Sequence, residues 1–150
     1  MPSKISISTG LTVAQLQAMV AVWAANGGAE IRIYGGAMPA SADSAVGGAV
    51  KLVVINTSAN EALGFVVDGT LLQKVPLEVW TGDGIAAGTA TFFRLCAADD
   101  SDAQSLTLPR IQGTCDRIDA DLNLMSTDVV IGQPVPVKEF IYSFQEAVGG

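Results

Sequence analysis

The sequence of 150 residues contains no histidine. Histidine is the commonest general base at neutral pH and a frequent transition-metal ligand, so its absence excludes Ser-His-Asp triads and Cys-His pairs. The phosphate-binding signatures G-x-x-x-x-G-K-[ST] and G-x-G-x-x-G at a helix start are also absent. We therefore expect a protein that is not an enzyme and that carries no cofactor.

Cysteine is scarce, with Cys96 and Cys115 alone. Two cysteines without histidine cannot supply the four ligands of a structural zinc site, so we expect no metal centre of that kind. Two cysteines are also too few for a disulfide framework. Because free cysteine behaves as a small apolar residue, we expect both thiols to be reduced and buried in the core.

Charge is the third scarcity. Charged residues make up 15% of the chain and hydrophobic residues 49%, and the formal net charge is −7. An acidic chain whose eight basic residues are scattered singly is not expected to bind nucleic acid, since phosphate binding depends on clustered Lys and Arg. With a mean hydropathy of +0.41, we expect apolar surface to be covered by other subunits, as a dimer or trimer.

Long apolar runs are missing as well. The longest, residues 11–25, contains Gln15 and Gln17 and is shorter than the ~20 residues that cross a bilayer. The opening MPSKISISTG lacks the regions of a secretory signal. The sequence favours a protein with no membrane partner.

Residues 12–26 have the spacing of one N-terminal α-helix. We predict Thr12 as its N-cap and the Asn26-Gly27-Gly28 run as its end. No charge occurs from residue 5 to residue 29, whereas surface helices usually have a charged face. Two interpretations stay open: the helix packs on its own sheet, or part of it seals a subunit contact. The candidate interface residues here are Leu16, Met19 and Trp23.

After the helix, apolar and polar residues alternate with a period of two, as in the strand 29–36. We predict a single domain over residues 1–150, mainly β, with a β-sandwich or jelly-roll-like fold of seven to eight short strands. The other predicted strands span 49–58, 63–70, 75–84, 88–97, 105–114, 120–133 and 135–144.

The segment 35–50 is rich in glycine and alanine and offers little for a core. It is predicted to be a mobile surface loop or an arm that becomes ordered against a neighbouring subunit. Its candidate interface residues are Met38, Pro39 and Asp43.

Carboxylates cluster at Asp99, Asp100 and Asp102, and again at Asp116, Asp119 and Asp121. Neither cluster has the glycine and distal glutamate of a calcium loop. For the first cluster we favour a solvated hairpin turn over a structural cation site, and both over catalysis.

Five stretches resemble a group of small virion structural proteins of tailed bacteriophages. They are EIRIYGGAMPASADSAVGGAVKLVVI (30–55), GTATFFRLC (88–96), RIQGT (110–114), ADLNLMST (120–127) and GQPVPVKEFIYSF (132–144). Proteins of this group have an alanine-rich N-terminal helix, an I-x-I-Y strand, a small-residue loop, a G-T-A-x-x-F-R strand and an A-D-L-x-L strand.

The resemblance implies a non-enzymatic component of the virion, made in the host bacterial cytoplasm. We expect a capsid decoration (cement) or minor capsid protein, bound to the outer head surface through the major capsid protein or other virion proteins. A neck, tail or host-adsorption component is the alternative. A particle-associated glycan hydrolase is more remote, because no pair of carboxylates can be placed across a sugar cleft from the sequence.

Overall fold

A computed structural model describes residues 6–143. One helix, α1 (Thr9–Ala25), precedes all the strands. The strands are β1 (Ala29–Gly35), β2 (Val50–Thr57), β3 (Phe65–Asp68), β4 (Leu71–Lys74), β5 (Trp80–Thr81), β6 (Gly88–Thr89), β7 (Phe92–Ala97), β8 (Arg110–Asp116), β9 (Leu122–Leu124), β10 (Asp128–Val129) and β11 (Val137–Ser143).

Helix α1 begins three residues earlier than predicted. Ser8, not Thr12, is the N-cap: its Oγ accepts a hydrogen bond from the Leu11 amide at 3.1 Å. Thr12 lies one turn inside the helix, where its hydroxyl donates to the Ser8 carbonyl. The predicted end is confirmed, because Gly27 and Gly28 both have positive φ and the Gly28 amide donates to the Trp23 carbonyl.

Nine strands form one sheet in the order β3-β4-β11-β9-β8-β7-β1-β2-β5. All neighbours are antiparallel except β8 and β9, which run parallel. Strands β6 and β10 pair separately. The sheet curls on itself, so the mainly β, sandwich-like class with one N-terminal helix is confirmed.

The strand count is eleven among the described residues, against the seven to eight expected. Two predicted strands are each divided, 88–97 into β6 and β7 and 120–133 into β9 and β10. Strand β4 lies in a stretch for which no strand was predicted. Hairpin β3–β4 turns at Gly69, whose φ is +59°.

The two central strands of the sheet, β1 and β7, are buried on both faces, and β2 and β8 flank them. One face carries Ile31, Ile33, Phe93 and Leu95 into the apolar core, which α1 and the curled remainder of the sheet cover. We call this the core face. Because side chains alternate along a strand, the residues between them point the other way.

The second face carries a polar layer. Cross-strand register places Arg32 opposite Arg94 and Arg94 opposite Gln112, while Cys96 lies opposite Arg110. The loops 36–49 and 98–109 lie over these side chains and bond to them. We call this the loop-covered face.

Candidate functional site

Two of the predicted interface residues belong to the protein's own core. Leu16 and Trp23 are 0% and 1% exposed, so neither can contact a partner of the folded protein. The Trp23 ring packs on Phe65 with centroids 5.5 Å apart, and its Nε1 donates to the Pro109 carbonyl at 3.1 Å. The interface assignment of Leu16 and Trp23 is wrong, because the curled sheet supplies the apolar partner that this side of the helix requires.

Met19 remains near the surface. It is half-buried and lines a shallow apolar groove between α1 and the start of β8, together with Val22 and Ile111. The outward face of α1 is uncharged, and Leu11 and Val22 on it are exposed. The helix thus packs on its own sheet along one stripe and presents along the other a charge-free surface of aliphatic side chains with Gln15 and Gln17.

The small-residue loop 36–49 does not extend as an arm. It folds back over the loop-covered face, where three side chains of β7 and β8 donate hydrogen bonds to its backbone carbonyls. Arg94 donates to Ser44, Arg110 donates to Ala42 and Gln112 donates to Pro39.

Because backbone carbonyls make these bonds, the side chains of the loop are left free to point outward. Met38 and Asp43 are exposed and Pro39 is half-buried, so these three predicted interface residues lie at or near the surface. The structure therefore brings them together on one loop, away from Leu16 and Trp23.

The first acidic cluster is not a solvated turn, and this expectation is corrected. Asp99 is exposed, but the side chains of Asp100 and Arg110 are each 1% exposed and form a two-pronged ion pair, with both N–O distances 2.7 Å. Burial alone would raise the pKa of Asp100. The hydrogen bonds from Arg110 and from the Asp102 amide outweigh it and hold that pKa below its usual value.

The Asp102 carboxylate contacts side chains of both β1 and β2. It accepts a hydrogen bond from the Tyr34 hydroxyl at 2.8 Å, lies 3.1 Å from Arg32 Nη1 and forms an ion pair with Lys51 at 3.2 Å. Its backbone is left-handed, with φ +65°. Burial works to raise the pKa of Asp102, and these three donors lower it below its usual range. Sequence analysis missed this network because its donors lie on distant strands.

Arg94 is the most buried charge of the layer, with no exposed surface. Its Nε donates to Gln112 Oε1 at 3.0 Å, and within residues 6–143 no carboxylate lies within ion-pair distance of it. Burial and the neighbouring Arg110 lower the pKa of Arg94. One signal was available in the sequence: a single arginine inside the apolar stretch FFRLCA, which predicts a buried cation with built partners.

The second acidic cluster also has structural roles. Asp121 accepts hydrogen bonds from the Thr114 amide and hydroxyl, and Asp116 accepts one from the Arg117 amide. Asp119 has φ +56° and lines an open, mixed-charge depression opposite Lys138 and Glu139. In the part of the chain that the structure describes, no group of three Asp, Glu or Cys side chains is arranged to hold a metal ion.

Both cysteines are reduced and buried, as predicted. They lie on opposite faces of the sheet: Cys115 belongs to the apolar core, whereas Cys96 lies in the polar layer beside Arg32. Burial raises the pKa of Cys96 to about 12 and also raises that of Cys115. Both thiols are therefore un-ionised at neutral pH.

A second surface feature, which sequence analysis missed, is a group of exposed aliphatic side chains. Ile85, Val130 and Ile131 are 58%, 55% and 64% exposed. A backbone bridge between Gly84 and Ile131 holds their two turns side by side. We call these three residues the aliphatic patch.

Comparison with protein-family models, with curated proteins and with solved structures found no match to this chain. Across residues 6–143, no helix has both the length and the hydropathy of a membrane span.

Proposed function

We propose that this protein is a structural component of a tailed-bacteriophage virion, a capsid decoration or minor capsid protein that binds the outer head surface. The sequence resemblance to small virion proteins supports this assignment. The structural observation that supports it is exposed aliphatic side chains at two separate places, the aliphatic patch and Leu11 and Val22 on the outward face of α1.

Exposed aliphatic groups of this kind mark contact surfaces, because a soluble protein gains free energy by covering them. Ile85 and Ile131 lie on turns next to the edge of the sheet and are more than half exposed. Such a surface suits contact with another folded protein, either the major capsid protein, another virion protein or a second copy of this chain.

Cementing does not require a strong single contact. An ordinary interface buries roughly 800 Å² per partner, and repeated binding over a shell multiplies a modest affinity through avidity. The net charge of −7 fits a position outside the shell, since an acidic protein is not drawn to packaged DNA.

The location is tested on purified particles of the phage that encodes this chain. Quantitative mass spectrometry of these particles gives the copy number per virion. We expect on the order of hundreds of copies, as repetition over a shell requires. A dozen or fewer copies would indicate the neck, tail or adsorption apparatus instead, and absence from the particles would exclude a virion role.

The contact surface is tested separately by placing negative charges on the aliphatic patch. Ile85→Asp combined with Ile131→Asp is expected to weaken both self-association and particle binding, measured by sedimentation and by co-pelleting with particles. Leu106→Asp, at an exposed aliphatic residue in loop 98–109, is the matched control. Equal binding by the patch variant and the control would remove the aliphatic patch from the interface.

A further inference from the structure

The cover of the loop-covered face is held by polar contacts and not by apolar burial. In loops 36–49 and 98–109, both described in full, Asp100 is the one fully buried residue. Every apolar side chain of the two loops is half-buried or exposed. Because these loops remove little apolar area from water, their polar and charged contacts hold them in place.

Arg110 connects both loops to the sheet. Its guanidinium donates to the Ala42 carbonyl of the first loop and to both Asp100 and the Ala103 carbonyl of the second. Arg32 adds donations to the Ala98 and Asp100 carbonyls. Asp100 neutralises Arg110 at this joint, so loss of its charge leaves a buried cation unpaired.

The charged and titratable groups around the Asp100–Arg110 ion pair come from every neighbouring element. Facing Asp100 and Asp102 are Glu30, Arg32 and Tyr34 of β1, Lys51 of β2, Arg94 and Cys96 of β7, and Arg110 of β8, while Asp43 and Asp99 of the loops are exposed. Three buried arginines and the partly exposed Lys51 face three carboxylates. Protonation of either aspartate therefore leaves buried positive charge uncompensated.

We propose that loops 36–49 and 98–109 form an acid-releasable cover: protonation of Asp100 and Asp102 detaches both loops while the apolar core stays folded. The released face would present Arg94 and the stacked Tyr34–Phe92 pair, whose ring centroids are 5.0 Å apart. The core face differs because the buried cluster that forms it contains apolar residues and Cys115, with no carboxylate among its described members.

The direction with pH follows from the ion pairs. The carboxylates have pKa values below their usual range in the closed state, so closure is fully stabilised above the ordinary aspartate pKa. That stabilisation is lost as the pH falls through the lowered pKa values of Asp100 and Asp102. The cover is thus closed at neutral pH and opens only in acid.

The two cysteines report opening and global unfolding separately. Cys96 lies beneath the cover and Cys115 lies in the core, so opening exposes the first and not the second. The experiment labels the wild-type protein with dithiodipyridine, which reacts with thiols in acid, between about pH 7 and about pH 2, and quantifies each site by peptide mass spectrometry. We expect labelling of Cys96 relative to Cys115 to rise at least about tenfold on acidification, because breaking a buried ion pair costs more than a tenfold change in an opening equilibrium requires.

A variant tests the same step at neutral pH. Asp100→Asn removes the charge while keeping the shape, and is expected to raise labelling of Cys96 far more than labelling of Cys115. Asp99→Asn, at the adjacent exposed carboxylate, is the matched control and should leave both rates unchanged.

Labelling of the two cysteines together in acid would overturn the proposal, because it would show that the cover opens only when the core unfolds. Continued protection of Cys96 down to about pH 2 would overturn it equally. If Asp100→Asn does not fold, the acid series on the wild-type protein decides the question alone.

Discussion

Trp23→Ala is expected to lower the free energy of unfolding by about 3–5 kcal/mol, the cost of removing a large aromatic side chain from a packed core. The Trp23 ring is buried against Phe65, and its Nε1 is hydrogen-bonded to the Pro109 carbonyl. The loss should lie at the upper end of that range, because the substitution also leaves this carbonyl without its donor, worth about 1 kcal/mol.

Urea unfolding monitored by circular dichroism measures the change. In a chain of this length about 4 kcal/mol corresponds to a fall of roughly 8–16 °C in Tm. Val22→Ala, on the exposed side of the same helix, is the control for helix propensity and should change stability little. A loss below about 1 kcal/mol for Trp23→Ala, together with weakened attachment to a partner, would refute the assignment of Trp23 to the protein's own core.

Two further predictions concern the buried ionisable groups. Asp100→Asn should lower stability at neutral pH by at most about 3–5 kcal/mol, since it leaves Arg110 buried without its carboxylate. Its difference from the wild-type protein should shrink as the pH falls through the lowered pKa of Asp100, which urea titrations at neutral and acidic pH measure. In the native wild-type protein at neutral pH, Cys96 and Cys115 should react with thiol reagents far more slowly than after unfolding in urea, because both are buried and un-ionised. Prompt native labelling of either thiol would contradict this.

Local patterns predicted most of the secondary structure. Period-two alternation located β1, β2 and β7 to within a residue or so at their ends, apart from the early part of 88–97 that forms β6. The Asn26–Gly28 stop located the end of α1. These signals are local, because a strand's alternation and a helix's terminating glycines act within a few residues.

Placement of the polar groups was not predictable in the same way. Asp100 follows a strand and precedes Ser101 and Asp102, which is the composition of a solvated turn. Its partner Arg110 is ten residues away and meets it only because β7 and β8 pair with Cys96 opposite Arg110. The correction for Asp100 therefore comes from strand register, which a single sequence does not encode in any short pattern.

The same reason separates the two groups of predicted interface residues. Met38, Pro39 and Asp43 remain accessible because their loop is bound through its carbonyls, a contact that is independent of side-chain type. Leu16 and Trp23 are covered because the curled sheet reaches the helix. The sequence shows that the apolar stripe of the helix must be buried. It does not show whether the protein's own sheet or another subunit covers it.

Sequence alone determined the class of the chain: short alternating strands, one charge-free helix and a composition without histidine. These properties follow from residue type and short-range periodicity. Tertiary structure decided which charges are buried together, which cysteine lies on which face, and which aliphatic side chains stay exposed. Those outcomes depend on pairing between strands that lie far apart in the chain. The free energy of burying Arg94 or Asp100 is set by hydrogen-bond partners that only the folded sheet brings close enough.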